Sequence, residues 1–271
     1  MSALPRSSPD PGALVDLAAG VAERAGDLLL EGLHRRRTLV ETKSTATDMV
    51  SEMDHAAERL IVDGLLAARP ADGMVGEEGA AREGTSGLRW VIDPLDGTTN
   101  YLYGLPGWGV SIAAEDAAGV VAGVVVDAVR AEVYTATRGG GAFRDGTPIA
   151  CSDATDLATA LVGTGFGYDA ERRRAQGRVV AGLLPEVRDI RRLGAAAVDL
   201  CLVACGRLDA YFERGLHPWD HAAGGLIATE AGARVEDLDG NPTSLDFTIA
   251  APPALFDALR DLVERAGARE A

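Results

Sequence analysis

Apolar residues recur at helical spacing near the start of the chain. From Gly12 to Leu33 they fall three or four residues apart with Asp and Glu between them, which predicts an amphipathic helix. A second helix is predicted from about Asp54 to Ala68, where Arg69 and Pro70 end it. The segment between them, TLVETKSTATDMVSEMD, is rich in Thr and Ser and shows no clear period.

From Trp108 onward the pattern changes to short runs of β-branched residues separated by Gly and Asp. Runs that begin at Gly109, Gly119 and Glu132 predict neighbouring strands of a meander. The following stretch, GGGAFRDGTPI, predicts a further hairpin with Asp145-Gly146 as its turn.

After Cys151 the predicted helices and strands alternate. Strands are predicted at 160–164, 209–213, 233–237 and 247–251, and helices at 175–184, 195–204, 219–231 and 252–266. This alternation is typical of the α/β class. Because no long linker separates the halves, we expect one compact unit with an α+β lobe at 1–152 and an α/β lobe at 153–271.

Length and composition limit the class of protein. The chain has 271 residues, of which 47% are hydrophobic, enough for a sizeable core. We expect no membrane span, because no uncharged apolar stretch reaches about 18 residues. The first residues lack the basic and apolar regions of a signal peptide. Three cysteines without metal or disulfide spacing favour a reducing compartment, the cytoplasm.

The net charge of −15 restricts the possible partners. Nucleic acid is not an expected partner, because non-specific binding needs a basic surface. An acidic chain also repels anionic substrates at long range, so a phosphate ester would need local positive charge. The chain has a single lysine, Lys43, whose position is therefore of interest.

The stretch WVIDPLDGTTN carries the first candidate chemistry. Asp93 and Asp96 follow a predicted buried strand, and Gly97 to Asn100 could open a helix whose N–H groups bind an anion. Two ionised carboxylates this close would repel each other unless a cation lay between them. All-oxygen ligands favour Mg²⁺ over Zn²⁺. The alternative is an ordinary turn between a strand and a helix.

Two more acidic stretches support a metal site, and each has a simpler explanation. GEEG contains Glu77 and Glu78, which could form a solvated acidic turn. HPWDH places Asp220 at a predicted helix start, where an acid also caps the helix. His217 and His221 are four residues apart, but Pro218 separates them and the glutamate of a helical zinc motif is missing.

These stretches together resemble the inositol monophosphatase family of Mg²⁺-dependent sugar phosphatases. The resemblance lies in the order and spacing of KSTATDMVSEMD, GEEG, DPLDGTTN, RRLGAAAVDLCLVACGRLDAYFERG and WDHAAGGLIATEAGA. The segment LVGTGFGYDAERRRAQ is similar to bacterial inositol-1-monophosphatases. The resemblance implies a layered αβαβα sandwich, a homodimer and inhibition by lithium.

The resemblance also implies roles for individual residues. Two to three Mg²⁺ ions would bind to Glu77, Asp93, the Leu95 carbonyl, Asp96 and Asp220. Catalysis would fall to Glu77, Thr98 and Asp93, and substrate contacts to Asp96, Gly97, Thr98, Gly194, Ala195, Ala196, Glu213 and Asp220. Lys43 and Asp54 would support the site. Ala195 stands where relatives often carry Ser or Thr.

The implied activity is hydrolysis of inositol monophosphate to myo-inositol and phosphate by direct attack of metal-activated water. The same site could serve histidinol phosphate, fructose-1,6-bisphosphate or another small phosphomonoester, including nucleotide 3′-phosphates and NADP. A function of another class is a regulatory binding protein without catalysis. The intact acid set favours the enzyme, because so many unpaired acids would otherwise be costly.

Overall fold

A computed structural model describes residues 10–38 and 46–270 of the chain. Within them, helix α1 spans Pro11–Thr38 and helix α2 spans Ala46–Ala68, and the two pack against each other. The second helix thus begins at Ala46 rather than near Asp54. The sequence pattern missed this first part because Ser, Thr and Asp are weak helix formers. Lys43 lies outside the described residues.

The first sheet has eight strands within the described part of the chain. They are β1 (Gly73–Gly76), β2 (Ala81–Arg82), β3 (Arg89–Asp96), β4 (Gly109–Asp116), β5 (Gly119–Asp127), β6 (Glu132–Thr137), β7 (Gly141–Arg144) and β8 (Thr147–Pro148). Their order is β2-β1-β3-β4-β5-β6-β7-β8, and only β1 and β3 pair in parallel. The predicted meander and its Asp145-Gly146 turn are confirmed. Helix α3 (Thr98–Tyr103) lies between β3 and β4.

The second half alternates strands and helices, as the sequence predicted. Its elements are β9 (Leu161–Thr164), α4 (Ala170–Leu183), β10 (Asp189–Arg191), α5 (Ala196–Ala204), β11 (Ala210–Glu213), α6 (Pro218–Glu230), β12 (Arg234–Glu236), β13 (Thr248–Ala251) and α7 (Pro253–Arg265). The strands form a mixed sheet in the order β10-β9-β11-β13-β12. The three-residue β10 was not predicted, because so short a strand shows no alternation.

Five layers result from the packing of these elements, and the αβαβα prediction is confirmed. Helices α1 and α2 cover one face of the first sheet, α5 and α6 lie between the sheets, and α4 and α7 cover the outer face of the second. Strand β3 shows the alternation that such a sandwich needs. Trp90 and Ile92 pack towards α1 and α2, whereas Val91 packs towards α5 and α6.

Two expectations about the whole chain have different outcomes. Searched over residues 10–38 and 46–270, the helices include none with the length and apolar content that a membrane span requires. The division into lobes at 1–152 and 153–271 stays a prediction.

A glycine sets the close approach of α5 and α6 between the sheets. A Cβ atom added to Gly224 would lie 2.9 Å from the Ala197 carbonyl oxygen and 2.9 Å from the Leu200 Cβ atom. Since the first neighbour is backbone, the helices would have to move apart. Gly177 on α4 is the opposite case, because it is exposed and an added Cβ would meet nothing within 4 Å.

The same substitution at these two glycines should therefore change stability in opposite directions. Gly224→Ala should lower the free energy of unfolding by about 1–3 kcal/mol through overpacking. Gly177→Ala should raise it by about 0.5–1 kcal/mol, because alanine is the better helix former. Denaturant unfolding of both variants measures the effect, and equal shifts would contradict the packing argument.

Candidate active site

One pocket gathers most of the residues that the sequence singled out. Its volume is about 350 Å³, at the small end of the range for small-molecule sites. The predicted residues on its wall are Glu77, Asp93, Leu95, Asp96, Gly97, Thr98, Gly194, Ala196, Glu213 and Asp220. They come from the ends of β1, β3 and β11 and the first turns of α3, α5 and α6.

A bulge in β3 brings Asp93 and Asp96 to this pocket. The sequence placed both acids after the strand, whereas β3 continues through them to Asp96. Residues three apart on a regular strand face opposite sides of the sheet. Here the register shifts between Asp93, which pairs with Ser111, and Asp96, which pairs with Gly109. The extra residue lets both side chains reach the same pocket.

Asp96 connects the first sheet to the helix layer. Its two carboxylate oxygens accept hydrogen bonds from the Ala196 amide at 3.2 Å and the Ala197 amide at 2.7 Å. These amides begin α5, where the helix dipole favours negative charge. Asp93 is 1% exposed and accepts a 3.0 Å hydrogen bond from the Leu95 amide. Both acids are therefore fixed by the backbone.

Helix α2 shapes the turn that carries Glu77. The Glu58 carboxylate accepts hydrogen bonds from the Glu78 amide at 3.1 Å and the Ala80 amide at 3.0 Å. The Glu78 carboxylate itself pairs with the His55 ring at 3.0 Å. The turn is thus held by the buried Glu58 carboxylate rather than freely solvated, and Glu77 is exposed on the pocket wall.

Asp54 lies on α2 behind this turn, not on the pocket wall. It is 2% exposed, and within the described residues its Oδ1 atom has no hydrogen-bond partner. Burial and, to a smaller extent, the charges of Glu78 and Glu77 together raise its pKa to about 8. Asp54 is therefore electrostatically coupled to the site from outside the pocket.

Asp220 combines the helix-capping role and the pocket position that the sequence left as alternatives. It is the third residue of α6, and its carboxylate accepts a 2.7 Å hydrogen bond from the His217 amide.

The side chains of the two nearby histidines contact different neighbours. The His217 ring stacks on Trp219 with centroids 4.8 Å apart, and the His221 Nδ1 atom lies 3.0 Å from the Thr243 hydroxyl.

Glu213 ends β11 on another side of the pocket. Burial raises its pKa to about 7, while the Tyr211 hydroxyl, which donates a hydrogen bond to the carboxylate, lowers it. Tyr211 is fully buried. The hydrogen bond from Tyr211 therefore fixes the orientation of the Glu213 carboxylate.

The turn after β3 presents backbone and hydroxyl groups beside the acids. Gly97 has φ 91°, and a Cβ atom there would lie 2.8 Å from the Gly107 carbonyl oxygen, so only glycine fits. The Thr98 hydroxyl donates a 3.1 Å hydrogen bond to the Leu95 carbonyl. Because the first amides of a helix have no intrahelical partner, this turn also offers N–H donors.

Only part of the segment at the start of α5 lies on the pocket wall. Gly194 and Ala196 line the pocket, but Ala195 is 1% exposed and does not. The Asn100 side chain ties this segment to the turn after α3, because it donates to the Leu193 and Gly107 carbonyls, each at 2.6 Å.

Mutual repulsion dominates the electrostatics of the acid group. Burial, followed by the charge of Asp220, raises the pKa of Glu77 to about 7. Burial raises the pKa of Asp93 and of Asp96 well above the usual range, and neighbouring carboxylates add to both effects. A bound cation would relieve this repulsion.

The donor set fits magnesium. Across the described residues, no three His, Cys, Asp or Glu side chains already surround one point as a metal cage. Mg²⁺ nevertheless binds to a few carboxylate and carbonyl oxygens that do not enclose it, because the ion keeps several water molecules as its other ligands. Among the described residues that line the pocket there is no cysteine to favour a softer metal.

Part of the pocket wall was not predicted from the sequence. Phe166, Tyr168, Arg172 and Arg192 also line it. The first two belong to the loop after β9, and the arginines lie at the start of α4 and just after β10. The glycine-rich loop GTGFGY after a predicted strand could have indicated this part of the wall, because binding sites in α/β folds form at the carboxyl ends of strands.

Comparison with known proteins shows to which family the chain is related. The model of the inositol monophosphatase family matches residues 11–267. Inositol-1-monophosphatase of Mycobacterium leprae is 44% identical over 237 residues, covering 83% of this chain and 81% of that protein. A protein of Xylella fastidiosa named Nus factor SuhB is 42% identical over 227 residues, with coverage of 83% and 82%.

A solved structure extends the agreement to the fold. Mycobacterium tuberculosis SuhB superposes with a TM-score of 0.83 at 39% identity, covering 97% of this chain and 100% of that one. The family model covers nearly all of the described residues, including every acid of the pocket. This chain belongs to the inositol monophosphatase family.

Proposed function

We propose that this protein is a Mg²⁺-dependent phosphatase that hydrolyses inositol monophosphate to myo-inositol and phosphate. The observation that carries the proposal is the pocket itself. Acids from the β1 turn, the β3 bulge and the first turn of α6 meet there beside the Gly97-Thr98 turn. The printed names of several relatives support the substrate.

Two metal positions are proposed from the acids. Glu77, Asp93 and the Leu95 carbonyl would hold one ion, and Asp93, Asp96 and Asp220 a second. Glu77 could support a third, weaker ion through water. When bound, Mg²⁺ supplies Lewis acidity that lowers the pKa of water and offsets charge on the reacting oxygens.

The protein groups would position water and phosphate for in-line attack on phosphorus. The Thr98 hydroxyl donates its hydrogen to the Leu95 carbonyl. The lone pairs of the Thr98 oxygen would therefore be free to accept a hydrogen bond from the attacking water. Glu77 would take the proton, because its proposed place beside the first ion would put its carboxylate within reach of that water. The Gly97 and Thr98 amides would bind phosphate oxygens.

Substrate choice would depend on the groups that face the alcohol. Glu213, held by Tyr211, would accept hydrogen bonds from polyol hydroxyls, together with Asp96, Asp220 and the 194–196 backbone. A buried acceptor of this kind favours a substrate rich in hydroxyl groups. Histidinol phosphate and other small phosphomonoesters remain alternatives at the same site.

A second candidate function is a regulatory binding protein without catalysis. This candidate is supported by the printed name of several relatives, Nus factor SuhB. The complete acid set argues for hydrolysis, and the charge of −15 argues against nucleic acid as the direct partner.

We also propose that lithium inhibits the enzyme. A cytoplasmic location is proposed from the three free thiols.

The direct test is phosphate release from a panel of esters. It contains inositol-1-phosphate, histidinol phosphate, fructose-1,6-bisphosphate, NADP and 3′-phosphoadenosine 5′-phosphate, each with Mg²⁺ and with EDTA. Release from inositol-1-phosphate should depend on Mg²⁺ and exceed release from the others. Asp93→Asn should lower kcat at least about 100-fold, because it removes a ligand proposed to be shared by two ions.

Asp116→Asn is the matched control, because Asp116 lies on the exposed end of β4 and pairs with Arg138. It should leave the rate unchanged. Near-normal turnover by Asp93→Asn would contradict the shared-ligand assignment. No release from any ester would remove the enzyme proposal and favour the binding protein.

The pH dependence of stability offers an independent test without substrate. Burial raises the pKa of Asp54 from 3.8 to about 8 and that of Glu213 from 4.5 to about 7. The folded chain therefore binds protons that the unfolded chain has released, and its stability falls as pH rises through this window.

In EDTA, Tm should be lower at about pH 8 than at about pH 6.5, by roughly 5 °C or more, since 1 kcal/mol shifts Tm of a chain this size by about 2–4 °C. Mg²⁺ should restore Tm at the higher pH. His221 acts in the opposite direction, because burial lowers its pKa from 6.5 to about 4 and the unfolded chain therefore releases a proton as pH rises past 6.5. This single group is outweighed by the carboxyl groups. A Tm in EDTA that is constant or rises with pH would contradict the acid repulsion.

We also propose a homodimer. Tyr103 and Leu105, just after α3, are 73% and 53% exposed, which is unusual for neighbouring large apolar residues. Light scattering should give twice the chain mass of 28.1 kDa. Tyr103→Glu combined with Leu105→Glu should shift the mass to that of a monomer if this surface forms the interface. A monomeric wild type would remove the dimer proposal.

A further inference from the structure

A glycine lies beside Glu213 at the end of two neighbouring strands. Strands β9 and β11 run in parallel, and Thr164 pairs with Phe212. Gly165 and Glu213 are the next residues along each chain segment, and both line the active-site pocket. Because side chains alternate between the two faces of a sheet, a side chain at 165 would point to the same face as Glu213.

The Glu213 carboxylate occupies the place that a side chain on Gly165 would need. A Cβ atom added to Gly165 would overlap the carboxyl carbon and both carboxylate oxygens of Glu213. Since glycine has no Cβ atom, the carboxylate can lie directly against the backbone. The Tyr211 hydroxyl donates a hydrogen bond to the Oε2 atom of the same carboxylate. Gly165 and Tyr211 together therefore define where this acceptor stands.

Space, and not backbone conformation, requires glycine at this position. Among the described glycines, those whose φ lies in the left-handed region include Gly97 but not Gly165. A Cβ atom added to Gly97 would also meet the carbonyl oxygen of Gly107, which belongs to the backbone. At Gly165 the added atom would meet the end of a flexible side chain instead. Substitution there should therefore displace Glu213 and leave the fold intact.

The loop that carries Gly165 is fixed on both sides. Thr164, just before it, is 1% exposed and belongs to β9. The Gly167 amide, just after it, donates a 3.0 Å hydrogen bond to the side chain of Gln176 on α4, which is 6% exposed. The backbone at 165 is therefore held in place, and the Glu213 side chain is the part that would move.

We propose that Gly165 is a specificity-determining residue, which selects polyol phosphates by leaving room for the Glu213 carboxylate to face the alcohol. This inference rests on the proposed phosphatase function and deepens it. With the carboxylate in place, a hydroxyl group of the substrate donates a hydrogen bond to it. With a side chain at 165, the carboxylate turns away and that hydrogen bond is lost.

The chemistry of the acceptor defines the substrate class. An ionised carboxylate accepts hydrogen bonds and cannot donate them. A site built to bind a hydroxyl group disfavours an alcohol that lacks one, because the acceptor is then left unpaired. Gly165 therefore favours alcohols that carry further hydroxyl groups beyond the ester. The proposed metal ligands belong to other elements, so cleavage of the phosphate ester itself does not need Gly165.

The test compares inositol-1-phosphate with nitrophenyl phosphate, whose alcohol carries no further hydroxyl group. The quantity measured is the ratio of kcat/KM for the inositol ester to kcat/KM for the nitrophenyl ester, with Mg²⁺. In Gly165→Ala we expect this ratio to fall at least about tenfold, mainly through KM of the inositol ester, because a hydrogen bond to a charged group is lost. The control is Gly177→Ala on the exposed side of α4, where an added Cβ meets nothing within 4 Å and the ratio should stay constant.

A double variant separates displacement of Glu213 from damage to the fold. Glu213→Ala should also lower the ratio, and it empties the space that a methyl group at 165 needs. Gly165→Ala/Glu213→Ala should therefore have the same ratio and the same Tm as Glu213→Ala alone. Additive losses would overturn the proposal, because Gly165→Ala would then act through something other than Glu213. A failure to fold that persists in the double variant would overturn it for the same reason.

The outcomes also separate this inference from the function on which it rests. A wild type that hydrolyses neither ester removes the proposed function and the inference with it. A wild type that hydrolyses both esters, with a ratio that Gly165→Ala leaves unchanged, overturns the specificity role alone. A ratio that falls in Gly165→Ala, and falls no further when this change is added to Glu213→Ala, supports it.

Discussion

The bulge in β3 is the constraint on which the site depends. Asp93 and Asp96 are three residues apart, and a regular strand would direct one of them away from the pocket. The register shift between them keeps Asp93 beside the Glu77 turn and lets Asp96 accept the first amides of α5. One irregularity therefore joins the first sheet to the middle helix layer and places two acids in one cavity.

The surrounding structure supports these acids from the backbone rather than from cationic side chains. Glu58 shapes the Glu77 turn, the α5 amides hold Asp96, and the His217 amide holds Asp220. Backbone donors fix the carboxylates without neutralising them, so much of the repulsion remains. That residual negative charge is what an oxygen-liganded cation can use. Arginines also line the pocket, and the charges of Arg192 and Arg172 lower the pKa of Glu213.

The sequence predicted most of this fold because its patterns are local. Helical spacing predicted α1, and short runs of β-branched residues predicted the strands that begin at Gly109, Gly119 and Glu132. The alternation of helices and strands in the second half predicted the α/β class. The acids that line the pocket were also named from the sequence, because the stretches around Glu77, Asp93 and Asp220 are specific in their joint order and spacing although each alone has a simpler explanation. The start of α2 was missed because its Ser and Thr residues hide the helical period.

The sequence alone determined which residue types could carry the chemistry and in which order they occur. Tertiary structure decided which of them meet. Asp54 is close enough to interact with Glu77 but lies behind the wall, Ala195 is buried, and Arg172 and Arg192 reach the pocket from different elements. No local pattern could show this, because strand order, the bulge and helix packing arise from contacts between residues far apart in the chain. Burial and mutual repulsion, and hence the protonation of the acids, follow only from that packing.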